Sequence, residues 1–140
     1  MRKPISLLLI LFTTIVFTQN ITLNELISFK TKSIKDTQLI LKGKDYSYFK
    51  TINGGAQWKA NDGSGIIGFN GKGLVLFMTF KSSLQKNIIN EIKKSSYKYM
   101  GKSTKNNLQV DSYMKGDSTI FISEIINPSN GKILYSMTIT

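Results

Sequence analysis

Apolar positions fall into three kinds of run along this chain: one continuous stretch near the start, helical spacing in a few segments, and alternation through most of the remainder. The continuous stretch, Ile5 to Phe17, is thirteen residues long. A permanent membrane helix needs about 20. Arg2 and Lys3 precede it, Val16-Phe17-Thr18 offers smallish residues before Gln19, and the polar Gln19-Asn20 follows without a basic stop-transfer cluster. This order predicts a secretory signal peptide over 1–18 and one mature domain over 19–140.

Helical spacing comes next. Thr22-Leu-Asn-Glu25 has the form of a capping box, with Leu23, Leu26 and Ile27 on the buried side. Ser33-Ile-Lys-Asp36 looks like a second start, with Ile34 and Leu41 one heptad apart and Gly43 as the residue past the end. Two short helices are expected, over 22–30 and 33–42. Further on, Ser82-Ser-Leu-Gln85 again reads as a capping box. Leu84, Ile88, Ile89 and Ile92 form one stripe, which predicts a helix over 83–95.

Alternation and turn signals fill the remaining segments. Strands are expected over 46–52, with Tyr46, Tyr48 and Ile52 on one face, then over 56–60 and 65–69. Asn53-Gly54, Asn61-Asp62-Gly63-Ser64 and Asn70-Gly71 punctuate them. Gly73 to Phe80 is apolar at both parities, the pattern of a central strand covered on both sides. Strands over 97–102, 108–114, 119–126 and 133–139 close the chain. The last puts Ile133, Tyr135, Met137 and Ile139 on one face. In order, the elements read α-α-β-β-β-β then α-β-β-β-β. The fold class is α+β: an antiparallel sheet with helices packed on one face, in two halves over about 21–80 and 81–140.

The opening Ile21-Thr-Leu-Asn-Glu-Leu-Ile, followed by Leu41-Lys-Gly-Lys-Asp-Tyr46, resembles small secreted proteins of Bacteroidota-type bacteria. They have no established activity, so the likeness brings no catalytic residues. The α-β4 repeat is similar in topology to the β-lactamase-inhibitor-protein-like fold, which implies a sheet whose concave face grips a partner. This chain has no Cys for the disulfides of that fold, and its first half carries an extra helix.

Composition removes whole classes of chemistry. No Cys and no His among the 140 residues means no thiol nucleophile, no Ser–His–Asp triad and no Cys- or His-ligated metal. Nineteen Lys and Arg against eight Asp and Glu leave +11. The only Arg is Arg2, so without the signal segment the charge is (19 − 2) − 8 = +9, carried by Lys alone. Lysine lacks the guanidinium fork that reads phosphate or carboxylate bidentately. The positive balance therefore reads first as solubility charge and second as affinity for polyanions: lipopolysaccharide, acidic glycan or nucleic acid.

No motif rises to an active site. Asn61-Asp-Gly-Ser-Gly65 fails as a calcium loop, since Trp58 and Phe69 occupy the first and twelfth positions. Gly68-Phe-Asn-Gly71-Lys-Gly73 fits no phosphate-loop spacing and precedes a strand. Asp111 and Glu124 fall on neighbouring expected strands, the arrangement a carboxylate-based hydrolase would need. Aromatic and basic residues interleave at Tyr46, Tyr48, Lys50, Trp58 and Lys59, and again at Tyr97, Lys98, Tyr99, Tyr113 and Lys115. From these, Tyr46, Tyr48, Trp58, Lys59 and Tyr113 are the candidate partner-binding set, for a protein or peptide. The chain reads as a monomeric, non-enzymatic module of the periplasm or beyond, with no cofactor and no metal.

Overall fold

The computed structural model describes residues 20–140, Asn53 and Gly71 excepted; the signal segment expected over 1–18 lies outside the described residues, as do those two members of the expected turns. The chain order is α1 (Leu23–Ser28), α2 (Ile34–Lys42), β1 (Tyr46–Ile52), β2 (Gly55–Ala60), β3 (Gly65–Phe69), β4 (Val75–Thr79), α3 (Ser82–Lys94), β5 (Lys98–Lys105), β6 (Leu108–Lys115), β7 (Ser118–Ile126) and β8 (Ile133–Ile139). The strands form one antiparallel eight-stranded sheet in the order β1-β2-β3-β4-β8-β7-β6-β5. Each half contributes a four-stranded meander. The last strands of the two meet at the centre, with Val75 opposite Ile139 and Phe77 opposite Met137.

The capping box at α1 forms as its residues require. Thr22 Oγ1 accepts from the Glu25 backbone N–H at 3.3 Å, and the Glu25 carboxylate accepts from the Thr22 N–H at 2.9 Å. Ser33 caps α2 through the Asp36 N–H at 3.1 Å. Gly43 is the C-cap of α2 but holds a right-handed conformation (φ −69°); the left-handed residue of this turn is Asp45 (φ 60°). The second expected capping box does not form. Lys81 is the N-cap of α3, no side chain caps it, and Ser82 is already helical.

Side-chain alternation gives the sheet one core face. Trp58, Ile67, Val75, Phe77, Ile120, Met137 and Ile139 are buried together with Leu23, Leu26, Leu41, Leu84, Ile88 and Ile92 of the helices. Burying each large side chain contributes about 1.5–3 kcal/mol. In the core, α2 packs on β1 and β2, while α1 and α3 pack on each other and on β4. The Glu91 carboxylate of α3 accepts the Leu23 N–H at 2.8 Å, which ties the opening of α1 to the second half. Gly55 is required where β2 begins: a Cβ there would lie 1.9 Å from the Phe69 carbonyl oxygen.

Both edge strands carry a bulge at the matching place. In β1, Tyr48 pairs with Trp58 and Lys50 with Gln57, so Phe49 is the extra residue. In β5, Tyr99 pairs with Tyr113 and Gly101 with Ser112, so Met100 is the extra residue. The bulge in β1 turns Ile52 away from the Tyr46 and Tyr48 face, contrary to the expectation from alternation. It also makes the halves correspond. An aromatic pair precedes each bulge, Tyr48–Trp58 in one and Tyr99–Tyr113 in the other.

Strand β5 runs to Lys105, three residues past the expected end. The turn that reverses it is Asn106-Asn107, both residues at positive φ (50° and 64°). This is the backbone of a tight hairpin turn, and Asn tolerates it better than most side chains.

Candidate functional site

The five partner-binding candidates do not share a surface. Trp58 is 0% exposed. Its ring stacks on Phe69 at 5.5 Å and 6° and meets Tyr48 edge-on at 6.1 Å. Its indole Nε1 has no hydrogen-bond partner, so the residue contributes packing and no polar contact. Tyr46 and Tyr113 are buried on the same core face. Burial, with the nearby Asp62 charge, pushes the Tyr46 phenol up to about 12. Burial and the Asp111 charge raise that of Tyr113. Tyr48 is 45% exposed at the sheet edge and hydrogen-bonds Thr51. Lys59 is exposed, but on the opposite face. A docking surface centred on Trp58 is therefore excluded by packing: the aromatic pattern marked the core.

That opposite face is the larger candidate. All three helices pack in the core, and among the described residues no element covers the other side of the sheet. Register places Ile66 and Met78 side by side there, with Leu76 opposite Thr138, Phe121 opposite Ser112 and Thr138, and Ile125 opposite Leu134. These side chains are half-buried or exposed, Phe121 being 38% exposed. Gly68 leaves a dip between Gln57 and Leu76, of about 250 Å³, whose walls include Ile52 and Leu74. Strand β4 is thus apolar at both parities, as its sequence shows, but covered on one side only.

Strand lysines lie on both faces, Lys102 and Lys115 on the core side, but strand carboxylates lie on one face only. Lys50, Lys59, Lys98 and Lys105 pair in register with uncovered-face residues Gln57, Ile66, Met114 and Leu108. The strand carboxylates Asp111 and Glu124 point to the core side, Asp111 lying opposite Ile122, and Glu124 opposite Tyr135. The uncovered face carries apolar side chains on either side of a band of small hydroxyls, Ser112, Ser123, Ser136 and Thr138, with lysines toward its edges and no strand carboxylate among the described residues.

Several other carboxylates serve the fold. The Glu25 carboxyl is opposed by burial, which raises its pKa, but the Thr22 hydrogen bonds and the Lys44 ammonium at 2.9 Å outweigh this and hold it below the ordinary range. Asp62 is held well below that range by Lys81 at 2.7 Å and by the Ser64 N–H at 2.9 Å. Asp36 bonds the Ser33 hydroxyl and Glu91 the Leu23 N–H.

The two strand carboxylates are Asp111 and Glu124, and the structure brings them to one cleft. It measures about 270 Å³ and lies between α3 and strands β5–β7, lined among others by Gln85, Ile89, Lys102, Gln109, Tyr113 and Ile122. The cleft exists because the second half has no counterpart of α2. In the first half α2 packs on β1 and β2; among the described residues no helix packs comparably on β5 or β6. The Tyr99 hydroxyl donates to Asp111 at 2.7 Å, and that bond raises the Tyr99 pKa. Lys102 lies 3.9 Å from the same carboxylate. Sequence reasoning reached Asp111 and Glu124 but missed Lys102, Gln85 and Gln109. The missing second helix was the available signal.

No protein family, no curated protein and no solved structure matches this chain in comparisons of sequence and fold.

Proposed function

We propose that this protein is a non-enzymatic binding module of the periplasm or cell exterior that docks an acidic protein on the uncovered face of its sheet. The observation that carries this reading is the uncovered face itself. Ile66, Leu76, Met78, Phe121, Ile125 and Leu134 lie on one side of a sheet whose helices all pack on the other. Partly exposed apolar side chains on an uncovered sheet face with a polar rim mark an interaction surface. The rim of Lys50, Lys59, Lys98 and Lys105 sets the sign of the partner, and the dip over Gly68 offers a socket for one anchoring side chain. Two α-β4 halves joined in one sheet support the likeness to the β-lactamase-inhibitor-protein-like fold. The N-terminal pattern of the sequence supports secretion.

The test compares the wild type with Phe121→Asp and with Lys59→Glu, each immobilised and exposed to envelope extract. An acidic protein should be retained by the wild type. Phe121→Asp should weaken its binding about tenfold or more, as loss of a central apolar contact does. Lys59→Glu should act mainly on the association rate and the salt dependence. Equal retention of that protein by wild type and Phe121→Asp would refute the docking face. Retention of polyanions alone, shed at moderate salt, would mean that lysine charge rather than the sheet face does the binding.

A further inference from the structure

We infer that the cleft between α3 and strands β5–β7 is a binding site for a neutral saccharide, on the side of the sheet away from the docking face and independent of it. Three features of the cleft point to this class. First, hydrogen-bonding groups of both senses converge there. The Asp111 and Glu124 carboxylates can only accept, the Lys102 ammonium can only donate, and Gln85 offers both. Gln109 gives its amide N–H to Thr104 at 3.0 Å, which leaves its carbonyl oxygen to accept. A sugar hydroxyl donates and accepts at once, so a ring bearing several of them can use the whole set. A simple cation or anion would use only half of it and meet repulsion from the rest.

Second, the floor of the cleft is apolar: Ile89 is half-buried, and the edges of the buried Ile122 and Tyr113 lie beneath it. Beside it stands Tyr99, 50% exposed, its ring centroid 5.2 Å from that of Tyr113 and tilted by 51°. An exposed aromatic edging a polar cleft is a stacking platform whose hydroxyl is already fixed by Asp111. Third, at about 270 Å³ the space is close to the lower end of ligand pockets, about 300 Å³, and suits one or two sugar rings rather than a large cofactor. The matching place in the first half holds Thr51 opposite Ala56 where the second half holds Lys102 opposite Asp111. At this register position the charged pair occurs only in the second half.

The test is titration of the full chain, followed by backbone-amide resonances, with cellotriose, maltotriose, diacetylchitobiose and, as a cationic comparison, spermidine. At millimolar concentration at least one sugar is expected to shift the amides of Asp111, Tyr113 and Ile122 and leave those of Leu76 and Met78 unmoved. Tyr99→Ala, an exposed edge-strand change, should weaken that binding roughly fivefold to tenfold while the remaining spectrum stays native. Asp111→Asn should weaken it with no change of fold. The inference is overturned if no sugar moves those amides, if spermidine alone does, or if the response survives both substitutions undiminished. None of these outcomes bears on the docking face, which Phe121→Asp tests separately.

Discussion

Burial takes Tyr46 out of any partner surface, and it leaves a signature in the pH dependence of stability. The phenol titrates near 10 when exposed and at about 12 in the folded chain, chiefly because its ionised form is desolvated. The folded state therefore holds the proton more tightly than the unfolded one. This contribution is complete below about pH 10 and is lost as pH rises toward about 12. Two pH units correspond to a loss on the order of 2 kcal/mol. Other groups also titrate at high pH, so the wild type alone does not isolate the effect. Tyr46→Phe does: urea unfolding at about pH 9 and about pH 11.5 should show a steeper loss in the wild type than in the variant. Equal losses would mean that Tyr46 ionises without cost, and that its ring is less enclosed than the structure places it. The same scale explains why Trp58 misled as a candidate. An aromatic on a strand signals a large apolar surface, and one residue at a time does not say which side of the sheet receives the helices.

At the scale of elements the two edge strands matter most. Among the described residues the eight-stranded sheet is open, leaving β1 and β5 with unpaired backbone groups, which can recruit another chain. Both edges are interrupted by a bulge, at Phe49 and Met100, and lysines line β5 at Lys98, Lys102 and Lys105. Deleting Met100 removes a side chain that is exposed and contributes nothing to the core. It should leave the sheet folded but straighten its edge. Self-association is expected to rise with protein concentration, and more so in high salt, where lysine repulsion is screened. Sedimentation velocity of the deletion against the wild type reads this directly, and identical profiles would remove the bulge from any protective role. The element order and the strand count were legible because period and turn residues report local structure. Strand β8 shows it best, with the parity of Ile133, Tyr135, Met137 and Ile139 read correctly. The bulges were not legible. An inserted residue leaves the composition unchanged and shows only as a shift of register against a partner strand, which is why Ile52 was assigned to the wrong face. The missing cap on α3 has a similar origin: Ser82-x-x-Gln85 fits the pattern, but the chain leaving Thr79 is already helical at Ser82.

Of the candidate sites, the sequence carried the members and not the grouping. Asp111 and Glu124 could be placed on neighbouring strands, whereas the cleft that joins them depends on where α2 lies and where its counterpart is missing. This is a property of the whole molecule, and so is the way the halves hold together. They look like repeats, yet they do not pack as separate units. Helix α3 begins the second half in sequence, but its core stripe packs on α1 and β4 of the first. Glu91 binds the opening of α1 across 68 residues of sequence, and β4 and β8 close the sheet between the halves. With one apolar cluster spanning both, neither half can lose its structure without uncovering the core of the other. The expected behaviour is a single cooperative transition. The chain's only Trp, Trp58, reports the first half by its fluorescence, and the amide resonance of Ile122 reports the second. Urea curves from the two probes should share one midpoint and one slope. If Trp58 were released at a clearly different urea concentration from Ile122, the halves would be domains in their own right, and the β4–β8 seam would be an interface between them rather than the middle of one core.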